Sequence, residues 1–518
     1  MKQWLLCLLL VPFALTSCQK KSVSPLLNVI PDNAVFVFAM DNKQLITKGG
    51  FDNLKDFKFY SEMIEFLDEN ENKELWLTVL NDNKKSGLNI DRAYCFMEMQ
   101  NEEPLVVFVT AMKDQSLFEQ NLLTIGNMPI DAIQDKLSYK MLDLYGRGSL
   151  VWNNNLFFAF FGDVEEINFD NYFNLPDSKA LISQADFKDF AKRSGDIGLW
   201  MPMQTYFDLM EMAAGYQSMG MDMMMQMPVM KEMTAINMHI YLDFNNDEIK
   251  MEVGMAPKEK VDAFYEKYPI FKWNSDQNML KDFPANSYLA FKLAVDLPQY
   301  LKIFKQTMSA MPAADNELES IEEMLDNPAV NTVINALGGD FIFSLYGFAE
   351  GFVPMPLLGL SFTVKSENDF KNLLAMLPEG MVLDQGDYYD LSVGFMAVSF
   401  ACKNNRVFVT ADEGSLKSFL KGGQTKNITA NASIGKMIKT SPSLSYINLD
   451  INEYPKSIRD FLTNTVGIDR EMLSTYGIFK DLSMGMNSKY NMQASLKFKS
   501  GKENSLKQLV RLIDNINN

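Results

Sequence analysis

The sequence predicts an α+β fold arranged as two tandem homologous domains, each a largely antiparallel sheet with amphipathic helices. Three observations lead there. Runs rich in β-branched and aromatic residues follow one another through links too short for a crossover helix, which requires antiparallel neighbours. Stretches with apolar residues at helical spacing interrupt those runs. Four segments of the first half also recur, in the same order, in the second. With 518 residues, 47% hydrophobic and 22% charged, the chain can bury more than one core.

The recurrence is read directly from the letters. IPDNAVFVFAM at Ile30 resembles FPANSYLAFKLAVD at Phe283, and PLVVFVTAMKDQSLFEQNLL at Pro104 resembles PLLGLSFTVKSENDFKNLL at Pro356. GSLVWNNNLFFAFFGD at Gly148 resembles FMAVSFACKNNRVFVTADE at Phe395, and EIKMEVGMAPKEKVDAFYEKY at Glu248 resembles NMQASLKFKSGKENSLKQLVRL at Asn491. Convergent strand patterning would not preserve both order and spacing, so an internal duplication is expected. The expected domains are residues 30–273 and 283–518, joined by the polar segment Asn274–Asp282.

Within the first repeat, Ala34–Met40 reads as a strand and Asp41 as the N-cap of the helix that follows. Asp296 holds the equivalent place in the second repeat. Helical patterns follow around Phe59–Asn70 and, in the second repeat, Leu318–Leu325. Strands are expected over Arg92–Met99 and Leu105–Met112, then a helix over Gln115–Leu123. A strand trio follows at Tyr139–Leu144, Ser149–Asn153 and Leu156–Phe161. Met238–Phe244 and Glu248–Gly254 form a hairpin through Asn245-Asn246-Asp247, and Lys258–Tyr268 closes the unit as a helix. Gly338-Gly339 and Gly422-Gly423 read as turns.

The amino terminus supplies an address. Residues 1–17 combine Lys2 with an apolar stretch, Trp4–Ala14, too short to span a bilayer. Leu15-Thr16-Ser17-Cys18 then matches a lipobox, in which a peptidase cuts before the cysteine and its sulfur is acylated. Two or three acyl chains, at about 0.8 kcal/mol per buried methylene, hold a protein stably on a membrane. Residues 18–29 read as a tether. Gln19-Lys20-Lys21 is basic, which favours a periplasm-facing outer-membrane lipoprotein over a surface-exported one. The lipobox through Cys18, the opening Ile30-Pro31-Asp32-Asn33-Ala34, Asp41, and Ser86-Gly87-Leu88-Asn89-Ile90-Asp91 before a strand carry a resemblance. The chain resembles a family of duplicated Bacteroidetes envelope lipoproteins classed only as a domain of unknown function. That resemblance implies cell-envelope placement and brings no activity, cofactor or catalytic residue.

Composition narrows the chemistry. Against 48 Lys and Arg stand 66 Asp and Glu, a net charge of −18, so no basic face offers itself to nucleic acid. His239 is the single histidine and reads as a strand residue with a satisfied hydrogen bond. Cys95 and Cys402 lie in apolar strand-like runs and are expected as free thiols. Asp243-x-Asn245-x-Asp247 opens like a calcium loop, but Glu248 and Gly254 stand where that loop needs Gly and Glu. Asp315–Asn327 reads as an acidic amphipathic helix. No G-x-S-x-G, P-loop or Rossmann glycine pattern occurs, so the chain is expected not to be an enzyme.

Methionine is the oddity: of 36, ten fall between Met210 and Met233. Met219, Met221, Met223, Met224, Met225 and Met227 form a candidate interaction tip, since flexible thioethers make adaptable apolar surfaces. Ordinary packing and Cu(I) binding are the alternatives. The chain thus reads as a lipid-anchored envelope protein with a non-enzymatic binding or scaffolding role, its partners the membrane, an envelope protein or a hydrophobic ligand. A carrier of lipids and a Met-rich copper handler are the alternative functions.

Overall fold

A computed structural model describes residues 24–67, 71–100, 103–144, 148–162, 167–193, 195–214, 228–309, 327–349, 355–378, 380–393, 396–464 and 476–516. Cys18, the helical pattern at Leu318–Leu325 and the six methionines Met219, Met221, Met223, Met224, Met225 and Met227 lie outside the described residues. The chain divides into two compact units, Met1–Ile46 with Asp52–Met201, and Thr47–Phe51 with Pro202–Asn518. Among the described residues no helix is long and apolar enough to cross a membrane.

The first unit holds strands β1 (Phe36–Met40), β2 (Leu88–Gln100), β3 (Glu103–Met112), β4 (Gln134–Asp135), β5 (Lys140–Asp143), β6 (Gly148–Trp152), β7 (Leu156–Phe161) and β8 (Ile197–Pro202). They pair antiparallel in the order β8-β1-β2-β3-β7-β6-β5-β4. Val37, Phe96, Val107 and Phe160 stand opposite one another across four strands and are fully buried. On the other face the helix Gln115–Ile125 is capped by Asp114 and packs Phe118 on Trp152 and Phe157. The strand trio and this helix lie within a residue or two of where the periodicity puts them.

The strands of the second unit begin with the hairpin β9 (Asn237–Phe244) and β10 (Glu248–Ala256). It continues through β11 (Leu289–Ala294), β12 (Leu337–Ala349), β13 (Met355–Val364), β14 (Val382–Asp384), β15 (Tyr389–Val393), β16 (Met396–Lys403), β17 (Arg406–Thr410), β18 (Ser443–Asn448), β19 (Phe479–Ser488) and β20 (Asn491–Phe498). Eight of these pair in the order β18-β11-β12-β13-β17-β16-β15-β14, the order of β8 through β4 in the first unit. Smaller features recur with it. Pro31 bridges Ala180 while Pro284 bridges Asn427. The Leu181 amide donates to the Ile30 carbonyl at 2.8 Å, and Ile428 to Phe283 at 3.0 Å. Asp41 and Asp296 each accept an amide three residues on, Gln44 and Gln299, both at 3.1 Å, which are the two caps expected.

Two placements differ from the sequence reading. The segment Asn274–Asp282 is built into the second unit: Gln277–Lys281 is a 3₁₀ turn, Met279 and Leu280 join the core, and Asp282 is fully buried. Arg406 donates to Asp282 at 2.7 Å and Ser361 at 2.8 Å, so a buried charge is paired and its second oxygen satisfied. The β9–β10 hairpin also belongs to the second unit, because β10 pairs with β20 over Glu248–Gly254. An edge strand otherwise offers unpaired amides and carbonyls, and β20 takes them up. Gly338 and Gly339 form no turn. They sit within β12 at a break in register between Leu337 and Phe341, where Gly339 has φ +89° and a Cβ would lie 2.0 Å from the Val295 carbonyl oxygen.

Lys292 on β11 is 3% exposed, its Nζ donating to the Ile438 carbonyl at 2.7 Å. Burial lowers its pKa from 10.5 to about 8, with Asp340 pulling the other way. Between those values the folded chain binds fewer protons here than the unfolded chain, so stability rises with pH across that window. Below about pH 8 the whole cost is present, on the order of 3 kcal/mol. Lys292→Met should therefore raise stability at pH 7 by about 1–3 kcal/mol, part of the gain being offset by the unpaired carbonyl. It should also flatten the rise between pH 8 and 10, as urea unfolding at several pH values will show.

Candidate functional site

The second unit's sheet reverses the usual sizes. On β11 the side chains facing the core are Ala290, Lys292 and Ala294, all buried, while the opposite face carries Leu289, Phe291 and Leu293. The same holds across its neighbours. Ala290, Ser344, Gly359 and Thr410 make the buried row that corresponds by pairing to Val37, Phe96, Val107 and Phe160 of the first unit. Rings from elsewhere fill the space left: a Cβ on Gly359 would lie 3.0–3.1 Å from Phe283, Phe408 and Tyr346.

The large apolar residues are left on the other face in register. One row runs Met484, Ser445, Phe291, Phe343, Leu360, and the next runs Leu482, Ile447, Leu289, Leu345, Leu358. Phe291, Leu482 and Met484 are 41% exposed, and Leu358 and Leu360 37%; the rest of the two rows are half-buried. The helix Glu367–Ala375 covers one end, packing Phe370, Leu373 and Leu374 with Phe362, Phe400 and Val409. The helices Leu297–Ser309 and Pro328–Ala336 also contact β12, and among the described residues the side chains of these rows that stay more than a third exposed lie on β19, β11 and β13. Single exposed apolar residues are ordinary, but five large ones on β19, β11 and β13, linked through the half-buried Ile447, Phe343 and Leu345 of β18 and β12, make a patch of the kind that binds something.

Among the described residues, the polar groups of the buried face are engaged in bracing the sheet. Lys272 donates to Asp340 at 2.6 Å and to the Gly338 carbonyl at 2.8 Å, and Thr363 adds a bond to the same carboxylate at 3.2 Å, so these groups brace the β12 bulge. Burial raises Asp282 to about 6, against the lowering by Arg406 and Ser361. Among the described residues no group of three or more His, Cys, Asp or Glu converges as metal ligands.

Residues singled out in the sequence fall as follows. His239 is buried on β9 opposite Gly254. Asn245–Asp247 is the hairpin turn, its carbonyls taken by the amides of Ser505 and Phe498 and the Gln508 side chain. Cys95 and Cys402 are free and half-buried, and burial raises both thiols, Cys402 to about 11. Of the methionine run, Met210 is exposed, while Met230 and Met233 pack around Met203, Phe207, Ile236 and Val261. The open apolar face escaped sequence reading, although the pattern Leu-Ala-Phe-Lys-Leu-Ala at 289–294 carried it: a lysine alternating with small residues marks one side, large apolar residues the other.

Energetics should separate the two faces. Phe291→Ser, Leu360→Ser and Met484→Ser should each change stability by less than about 1 kcal/mol. Ile342→Ala, 1% exposed on the buried face, should cost about 2–5 kcal/mol, measured by chemical unfolding.

No curated protein matches this chain. Two crystal forms of TP0453, I and III, are similar to it at 11% identity, each over 50% of this chain and over 91% and 92% of that chain, with TM-scores of 0.25 and 0.26. No enzymatic family is indicated. The family model of DUF4836, a domain of unknown function, matches residues 26–506, and the chain therefore belongs to the DUF4836 family.

Proposed function

We propose that this chain is a lipid-anchored protein of the cell envelope, without enzymatic activity, that binds the acyl chain of a membrane lipid on the open sheet face of its second unit. The observation that carries the binding role is the pair of apolar rows centred on Phe291 and Leu289, with five side chains 37–41% exposed. The lipobox ending at Cys18 supports the anchor. The turn Pro25–Val29, with Leu26 and Leu27 buried, belongs to the body and not to the tether read as residues 18–29, so the six residues from Cys18 to Ser24, at up to ~3.6 Å each, span at most about 22 Å. Membrane lipid is then the apolar molecule at highest local concentration. The net charge of −18 opposes laying the body flat on an anionic bilayer, which favours taking up single lipids. Ten methylenes lying on this face with about half their surface covered would contribute about 4 kcal/mol before the costs of association. The shared pairing order of the two eight-stranded arrangements supports their reading as copies of one duplicated domain, and a periplasm-facing outer-membrane position remains part of the proposal.

Two measurements test this. In cells fed labelled palmitate, Cys18→Ser should abolish the label and move the protein from the membrane to the soluble fraction; unchanged fractionation overturns the anchor. Full-length protein extracted from membranes should carry lipid at about one per chain by native mass spectrometry. The combined Phe291→Ser, Leu360→Ser and Met484→Ser variant should carry at least tenfold less while unfolding at nearly the same temperature. Wild type without lipid, or a variant that keeps it, overturns the ligand. A protein crosslinked to this face in place of lipid would assign scaffolding instead.

A further inference from the structure

The first unit contains a cavity of about 620 Å³ beside β2. Its floor is Glu98 on β2, only 4% exposed, which accepts the hydroxyl of Tyr172. Tyr172 is held by rings on three sides, 5.0 Å from Phe160, 6.0 Å from Phe158 and 6.4 Å from Phe96 between centroids. Gln100 reaches the same hydroxyl at 3.5 Å. Burial pushes the Glu98 carboxyl upward, while bonds from Asn33 and Gln100 draw it back.

Position along the strand shows that the fold does not need this carboxylate. Phe96 stands opposite Val37 and Val107, and Ser344 opposite Ala290 and Gly359; two residues further along β2 and β12 stand Glu98, opposite Leu105, and Tyr346, at a shift of register between Leu345 and Gly347. Tyr346 lies in the second unit's core with its hydroxyl 2.7 Å from Thr410. Where one unit has a ring and a closed hydrogen bond, the other has an acid and open space. A carboxylate that removes core packing and suffers desolvation costs stability unless something else requires it.

The lining says what could enter. Asn33, Gln100, Asn171 and Asn174 present amides, each both donor and acceptor, around Glu98. The lining residues of the charged types are Asp32, Glu98 and Lys179, which do not favour an anion. Ile167 and Leu175 add an apolar wall. Groups that both donate and accept, beside an apolar strip, match hydroxyls on a carbon ring, and the volume lies in the range of small-molecule pockets.

We infer that this cavity is a binding site for a neutral polyol, a mono- or disaccharide, held by Glu98 and the amides of Asn33, Gln100, Asn171 and Asn174. The test uses the full-length protein in a detergent without a sugar headgroup. Titration calorimetry and saturation-transfer NMR would probe glucose, galactose, mannose, N-acetylglucosamine and lactose at up to about 10 mM. Spermidine and inorganic phosphate serve as charged probes. At least one sugar should bind saturably, tenfold or more weakly in the Asn171→Ala, Asn174→Ala double variant and in Glu98→Gln, with unfolding temperatures close to wild type. Glu98→Gln guards against misfolding, because it keeps the shape and an acceptor for Tyr172. Sugar binding should persist in the triple variant of the second unit's open face. No sugar bound, affinity unchanged in the double variant, or binding of spermidine or phosphate alone overturns the inference.

Discussion

Antiparallel pairing fixes which side chains share a face, and everything else in this protein follows from that register. A slip of one residue on β11 would turn Phe291 into the core and Lys292 out of it. The register is held at its ends by features found in both units: the bridges of Pro31 and Pro284, and the aspartate caps at Asp41 and Asp296. Given that register, the first unit packs Val37, Phe96, Val107 and Phe160 inward, whereas the second packs Ala290, Ser344, Gly359 and Thr410.

That exchange of large for small residues explains both candidate sites. In the second unit the small inward row makes room for Phe283, Tyr346 and Phe408, and large apolar residues occupy the outward face. In the first unit large inward residues make the core, and Glu98 stands where a ring would otherwise close it. One pairing scheme therefore presents an apolar plane in one unit and a polar cavity in the other. The ion pairs behind the second sheet, Arg406 with Asp282 and Lys272 with Asp340, satisfy charges that burial would otherwise make costly.

Much of the secondary structure was legible in the sequence. The strand trio at Lys140–Phe161, the helix Gln115–Ile125 and the hairpin around Asn245–Asp247 depend on local signals: turn residues, caps and a period of two or 3.6. Gly338-Gly339 misled because glycine serves a bulge as readily as a turn, and only the approach of the Val295 carbonyl tells them apart. Asn274–Asp282 misled because its polar letters hide Met279, Leu280 and an aspartate that a distant arginine neutralises.

The sequence alone determined the order and kind of elements and the recurrence of segments between the halves, since each is written in neighbouring residues. Tertiary structure decided that β10 joins β20, that Glu98 floors a cavity, and which side of β11 stays open. These depend on contacts between residues tens to hundreds of positions apart. Period-two patterning distinguishes two faces of a strand, but only the neighbouring strands and helices determine which face is covered.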